Sequence, residues 1–139
     1  MAKSDRTADT QYAALPYRLE KGELEVMLIT SRGRGRWVIP KGWPMIGHKP
    51  HEAAEIEAFQ EAGVKGKVAK KAIGTYAYSK RLPSGEERLF FVVVYPLRVT
   101  LEAVKWRERA ERKRVWFARD DAAALVEEGG LAEIIAAWR

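Results

Sequence analysis

GWPMIGHKPHEAAEIEAFQEAGV, residues Gly42 to Val64, reads as a glycine-opened loop running into a helix. Pro50 suits the first turn of that helix and Gly63 the position just past its end. The residues between them are rich in helix formers. At about 100° per residue, Glu57 and Glu61 become neighbours one turn apart, with Gln60 beside them. Two carboxylates so placed repel each other by a few tenths of a kcal/mol in a plain helix. A divalent cation reverses that sign, because hard cations take oxygen ligands and also bind phosphates. The plain alternative is a solvated acidic face paired with lysines. Ala54, Ala58 and Ala62 form a small-residue stripe that lets the helix sit close to a sheet.

Outward from this stretch the chain alternates strands and turns. Tyr12 to Arg18 and Leu24 to Thr30 are apolar, strand-like runs joined by a turn at Glu20 to Glu23, which predicts a hairpin. Ser31 to Arg36 is a basic, glycine-containing loop. Trp37 to Ile39 is a short strand ended by Pro40. Lys65 to Lys80 and Arg88 to Thr100 read as long strands about the turn Pro83-Ser84-Gly85, a second hairpin. Leu89 to Tyr95 is nearly continuous in apolar residues, as a central strand is. After the charged loop Lys105 to Arg114, Val115 to Phe117 is a short strand. Two helices, Asp120 to Glu127 and Leu131 to Trp138, are expected to be broken at Gly129-Gly130. The fold class is α/β (α+β), a mixed sheet with helices on its faces.

At 139 residues the chain is long enough for one domain with its own core. Residues 1–10, MAKSDRTADT, are polar and read as a flexible N-terminus, leaving 11–139 as a single domain. No run suits a signal peptide or a membrane span, and the chain is expected to be cytoplasmic. It contains no cysteine, which removes disulfides, thiolate nucleophiles and zinc–thiolate sites together. The formal charge of +6 raises the odds of an anionic partner, although solubility explains it equally well. The basic residues are scattered among loops and form no aromatic-interleaved stripe, which argues against nucleic acid.

The spacing in the opening stretch resembles the Nudix hydrolases. Their signature is a Gly, five residues, a Glu, seven residues, then Arg-Glu-apolar-x-Glu-Glu-x-Gly-apolar. Here Gly42, Glu57, Glu61, Gly63 and the apolar Val64 match without a gap. Trp37-Val38-Ile39-Pro40-Lys41-Gly42-Trp43-Pro44 is similar to the approach seen in members that act on dinucleoside or diphosphoinositol polyphosphates. The resemblance implies an α/β/α sandwich with a mixed central sheet, and hydrolysis of a phosphoanhydride in a small phosphorylated substrate with Mg²⁺ or Mn²⁺. It makes Gly42 (through its carbonyl), Glu57, Gln60 and Glu61 the metal ligands. Glu57 and Glu61 are the catalytic candidates, with Glu57 preferred as the base. Arg18, Ser31, Arg32 and Lys41 become candidate phosphate contacts, with Arg34, Arg36, Lys80, Arg81 and Arg88 as looser ones. A further acid is sought among Glu86, Glu87, Glu108 and Glu111. Trp106 is read either as a base-stacking residue or as part of the core. A homodimer is allowed for.

Three positions depart from the signature. His48 stands where the family has Glu, Ile56 where it has Arg, and Gln60 where it has the first Glu of the pair. Losing both members of a buried ion pair is nearly neutral, whereas losing one is not. His48 and Ile56 are therefore read as one compensated change, with Ile56 packing beneath the loop against Met45 or Ile46. His48 itself is read either as a transition-metal ligand or as a plain loop residue. A Gln carbonyl can still ligate a hard cation but brings no charge, so weakened metal affinity is expected. A binding module of the same fold, impaired in catalysis, is the alternative function.

Overall fold

The structure, a computed structural model, describes residues 9–138. The expected flexible N-terminus therefore lies outside the described residues except for Asp9 and Thr10, and Thr10 already opens the first strand. Strand β1 (Thr10–Glu20) turns back on β2 (Glu23–Thr30) through Lys21 and Gly22, whose φ values are 52° and 82°. Two successive positive φ values give the tight hairpin turn that matches strand twist. The register pairs Arg18 with Glu25 and Glu20 with Glu23. Short strands β3 (Trp37–Val38) and β4 (Lys41–Gly42) follow, then helix α1 (Pro50–Ala62). After α1 come β5 (Val64–Val68), β6 (Gly74–Arg81), β7 (Glu87–Glu102) and β8 (Arg114–Ala118). Helices α2 (Arg119–Leu125) and α3 (Gly129–Ala137) close the chain.

All eight strands belong to one mixed sheet, with the path β3-β2-β1-β7-β5. β1 and β7 run parallel at its centre, from Thr10 opposite Phe91 to Tyr17 opposite Arg98. Side chains alternate across the sheet. Ala13, Leu15, Val26, Leu28, Val92 and Val94 meet Ala122, Val126, Leu131 and Ile135 on the face covered by α2 and α3. Ala14, Met27, Ile29 and Leu97 meet Ala54, Ala58 and Ala62 on the face covered by α1. Both faces are therefore covered, which is why these strands are apolar at consecutive positions rather than at alternate ones. The result is an α/β/α sandwich, as expected. The alanine stripe does what its spacing implied, since all three alanines are fully buried against the sheet.

Two expectations are corrected. Lys65 to Lys80 is two strands, not one. β5 pairs with the far end of β7 and β6 with its near end, and the chain leaves the sheet between them. The reason lies across the sheet. The carbonyl of Pro96 in β7 accepts from Ala69 N–H at 2.9 Å, and Val94 accepts from Ile73 at 2.9 Å. Carbonyl and nitrogen of one strand residue face the same neighbour, and Pro96 has no N–H to return. Gly129-Gly130 begins α3 rather than breaking a helix. A methyl group on Gly130 would stand 2.7 Å from Tyr76 Cβ, so its bare backbone lets the first turn of α3 rest on β6. Among the described residues no helix is long and apolar enough to cross a membrane.

Candidate active site

Helix α1 is fixed at both ends before any side chain of the site is considered. The Glu52 carboxylate accepts the Lys49 backbone N–H at 2.9 Å at its start. Gly63 closes its end at φ 68°, donating to Phe59 O at 3.0 Å. Trp106 lies flat on Gly63, so close that a Cβ there would stand 2.5 to 2.7 Å from the indole. Its Nε1–H donates to the Glu61 carbonyl at 3.1 Å, and Arg114 stacks 3.9 Å above its ring. Trp106 is thus a buttress of the helix end, in neither of the roles expected for it.

This framing aims Glu57 and Glu61 at the β4 strand. The Glu57 carboxylate lies against the Cα of Gly42, where any Cβ would collide with it. Glu61 accepts the Lys41 backbone N–H at 3.4 Å and is only 9% exposed. The two carboxyls act on each other electrostatically. Burial pushes Glu61 up to about 8; Arg112 opposes this, and Glu57 and Glu108 add to it. Burial raises Glu57 too. The pair therefore retains a proton near neutral pH.

Around it stand charges supplied by the 103–113 loop. Arg112 reaches Glu61 at 3.8 Å, Glu108 at 2.7 Å and the Thr30 carbonyl at 3.1 Å. Among the four acids considered, Glu108 is the one that acts on both Glu57 and Glu61. Arg112 was not foreseen, because nothing in a loop with so many arginines marks one of them. The Lys41 ammonium is largely buried, and desolvation lowers its pKa while Glu61 and Glu128 hold it up.

The other expected residues are placed as follows. Gln60 lines a surface pocket of about 320 Å³ with Glu55, Ile56, Phe59 and Lys65. The departures Ile56 and Gln60, one helical turn apart, share that pocket. Of the two residues expected against Ile56, Met45 and Ile46, Ile46 is fully exposed and does not cover it. His48 turns to Glu52 at 3.5 Å, with both side chains nearly half exposed. Arg18 is not brought to the pair. It lies about 17 Å along β1 from Ala13, the partner of Lys41, at the usual rise per residue. There it binds Glu25 at 2.8 Å and stacks on Trp116 at 4.3 Å. Ser31 closes its own loop by accepting the Arg36 N–H at 2.9 Å. Arg32 pairs with Glu111 at 2.9 Å on the surface. Arg36 faces Glu127 and Glu128, Arg81 faces Glu87, and Arg88 faces Asp9.

The donor set fits a hard divalent cation in kind. Two carboxylates forced together in a desolvated place share a proton, and a cation in its place relieves the same repulsion. Among the described residues no group of three His, Cys, Asp or Glu is gathered to hold a metal ion. The protein's own share is therefore Glu57 and Glu61, with Glu108 held back by Arg112.

The model of the NUDIX domain matches residues 10–138. Diphosphoinositol polyphosphate phosphohydrolase 3-beta of Bos taurus is 32% identical over 117 residues, 83% of this chain and 67% of that protein. Nudix hydrolase 21, chloroplastic, of Arabidopsis thaliana is 33% identical over 129 residues, 89% of this chain and 63% of that protein. The chain thus spans about two thirds of the length of these relatives. The crystal structure of a C. elegans Ap4A hydrolase superposes with a TM-score of 0.64 at 17% identity, covering 93% of this chain and 94% of that one. At that identity the likeness concerns the fold.

Proposed function

Because the chain belongs to the Nudix hydrolase family, we propose that it is a divalent-metal-dependent pyrophosphohydrolase. Its substrate class is a nucleoside diphosphate derivative or a related polyphosphate, cleaved at a phosphoanhydride by water. The observation that carries this reading is the Glu57–Glu61 pair beside Gly42, with Glu61 buried and held by the Lys41 N–H and Arg112. Mg²⁺ or Mn²⁺ would be held by Glu57, Glu61 and the Gly42 carbonyl. When bound, such an ion neutralises phosphate oxygens and acidifies a water.

The chain's own residues do the rest. Glu57, the more open of the two carboxylates, takes the proton of the attacking water. Glu61, fixed by the Lys41 N–H and by Arg112, holds its position. The Arg112 cation offsets the negative charge that grows on the leaving phosphate. Arg112 also has the planar fork that suits phosphate. The relative named for diphosphoinositol polyphosphates supports a polyanionic substrate. We place the protein in the cytoplasm, acting on a small molecule, with homodimerisation allowed.

The second reading, a binding module, has one observation in its favour. Gln60 lies with Ile56 along a surface pocket and brings no charge to Glu57 and Glu61. One experiment separates the two. The protein is incubated with nucleoside and dinucleoside polyphosphates and Mg²⁺ or Mn²⁺, and phosphate release is compared with Glu61→Gln. Turnover well above the variant is expected on at least one substrate. Equal, background release on all of them would refute the hydrolase.

A further inference from the structure

The residue after Gly42 is a tryptophan that the chemistry above does not use. Strand alternation puts Lys41 and Trp43 on one side and the Cα hydrogen of Gly42, facing Glu57, on the other. The contacts agree. Lys41 Nζ lies 5.5 Å from the Tyr78 ring, and Trp43 meets Phe90 edge-on with centroids 5.6 Å apart. Phe90 in turn stacks on Tyr78 at 5.5 Å, and the Tyr78 hydroxyl donates to Gln11 at 2.8 Å. Phe90 is 6% exposed, whereas Trp43 is 47% exposed.

A lone exposed apolar side chain needs no explanation. Trp43 differs in three respects. It is held by a fixed aromatic ladder, so little rotamer freedom remains to be lost on binding. Half of its surface is left to solvent. It is joined directly to the glycine on which the Glu57 carboxylate rests. We infer that Trp43, seated on Phe90, is a positioning residue that stacks on a nucleobase of the substrate. This deepens the proposed phosphoanhydride hydrolysis and rests on it. The substrate class it selects is nucleoside polyphosphates. A saturated inositol ring carrying phosphates offers no π-face to an indole, whereas every base does.

The test uses wild type, Trp43→Ala and Trp43→Phe, with a dinucleoside polyphosphate and inorganic tripolyphosphate as substrates. Trp43→Ala is expected to raise KM for the nucleotide about tenfold, within the range of base–aromatic stacking, with kcat unchanged. Tripolyphosphate should be handled equally by all three proteins, and Trp43→Phe should recover most of the nucleotide KM. Equal losses on both substrates would make Trp43 a shaper of the Gly42 loop and overturn the inference. No change on either substrate would overturn it as well. Equilibrium dialysis of the same nucleotide against the same proteins reads the affinity ratio without turnover. Absent turnover then sinks the hydrolase alone, and an unchanged affinity ratio sinks the stacking alone.

Discussion

Replacing Glu61 by Gln should make the metal-free protein more stable above neutral pH, although Glu61 is the most buried acid of the site. In the folded chain Glu61 titrates at about 8, against an ordinary 4.5. Below the ordinary value both states carry the proton, and Glu61 contributes nothing through its charge. As pH rises from there to about 8, the unfolded chain releases the proton and the folded chain keeps it, so stability falls. By pH 7 the difference amounts to at most about 3 kcal/mol, at roughly 1.4 kcal/mol per pH unit. Gln keeps the size and an oxygen for the Lys41 N–H, and Arg112 retains Glu108 and the Thr30 carbonyl. Urea unfolding in the presence of EDTA, from about pH 5 to about pH 9, measures the effect. The two proteins should be close in stability at the acidic end and diverge in favour of Gln as pH rises. Added Mg²⁺ or Mn²⁺ should then stabilise wild type more than the variant. A variant that is less stable by the same amount at every pH would refute the reasoning, because Glu61 would then be an ordinary satisfied carboxylate.

Gln60→Glu should tighten Mn²⁺ binding severalfold in a calorimetric titration, as an added carboxylate does; equal affinities would mean that this position never faces the ion. Gly42→Ala should leave the fold within about 1 kcal/mol of wild type, because only the Glu57 side chain, from Cγ outward, and no backbone must move, yet should cut turnover at least about tenfold. Full activity in that variant would separate Glu57 from the chemistry. Gly63→Ala should behave in the opposite way, costing about 2 kcal/mol or more in denaturant midpoint. It combines a left-handed φ of 68° with a clash against Trp106, whose indole is tied down on both sides. Arg18→Met should leave kcat and KM unchanged and lower stability modestly, since its partners Glu25 and Trp116 belong to the sheet; a raised KM would bring it back into the site.

What was legible in the sequence is what depends on neighbours along the chain. The hairpin, α1 with its closing glycine, the alanine stripe and the pairing of Glu57 with Glu61 all follow from spacings within a turn or a strand. What was not legible is set across the sheet or between loops. Pro96 divides its neighbour into β5 and β6 from a distance of more than twenty residues. Gly130 is a helix opener only because Tyr76 lies beneath it. Arg18 looked like a phosphate contact while its partner Glu25, facing it through the hairpin, was unplaced. Arg112 is one of several like charges in its loop, and only the fold singles it out.

The end of α1 is where the helix and the 103–113 loop are joined, and the joints are made of backbone on the helix side. Trp106 donates to the Glu61 carbonyl, Glu108 N–H to the Gln60 carbonyl at 3.1 Å, and Ala103 N–H to the Gly63 carbonyl at 2.7 Å. The last carbonyls of a helix have no partners within it and accept whatever is offered. Every amino acid supplies the same carbonyl, so exchanging Arg for Ile at 56 or Glu for Gln at 60 leaves these joints intact. Glu108 and Arg112 are therefore delivered to the carboxylate pair by a hinge that side-chain substitution in the helix cannot unfasten. A site framed in this way can change its charges one at a time while keeping its shape.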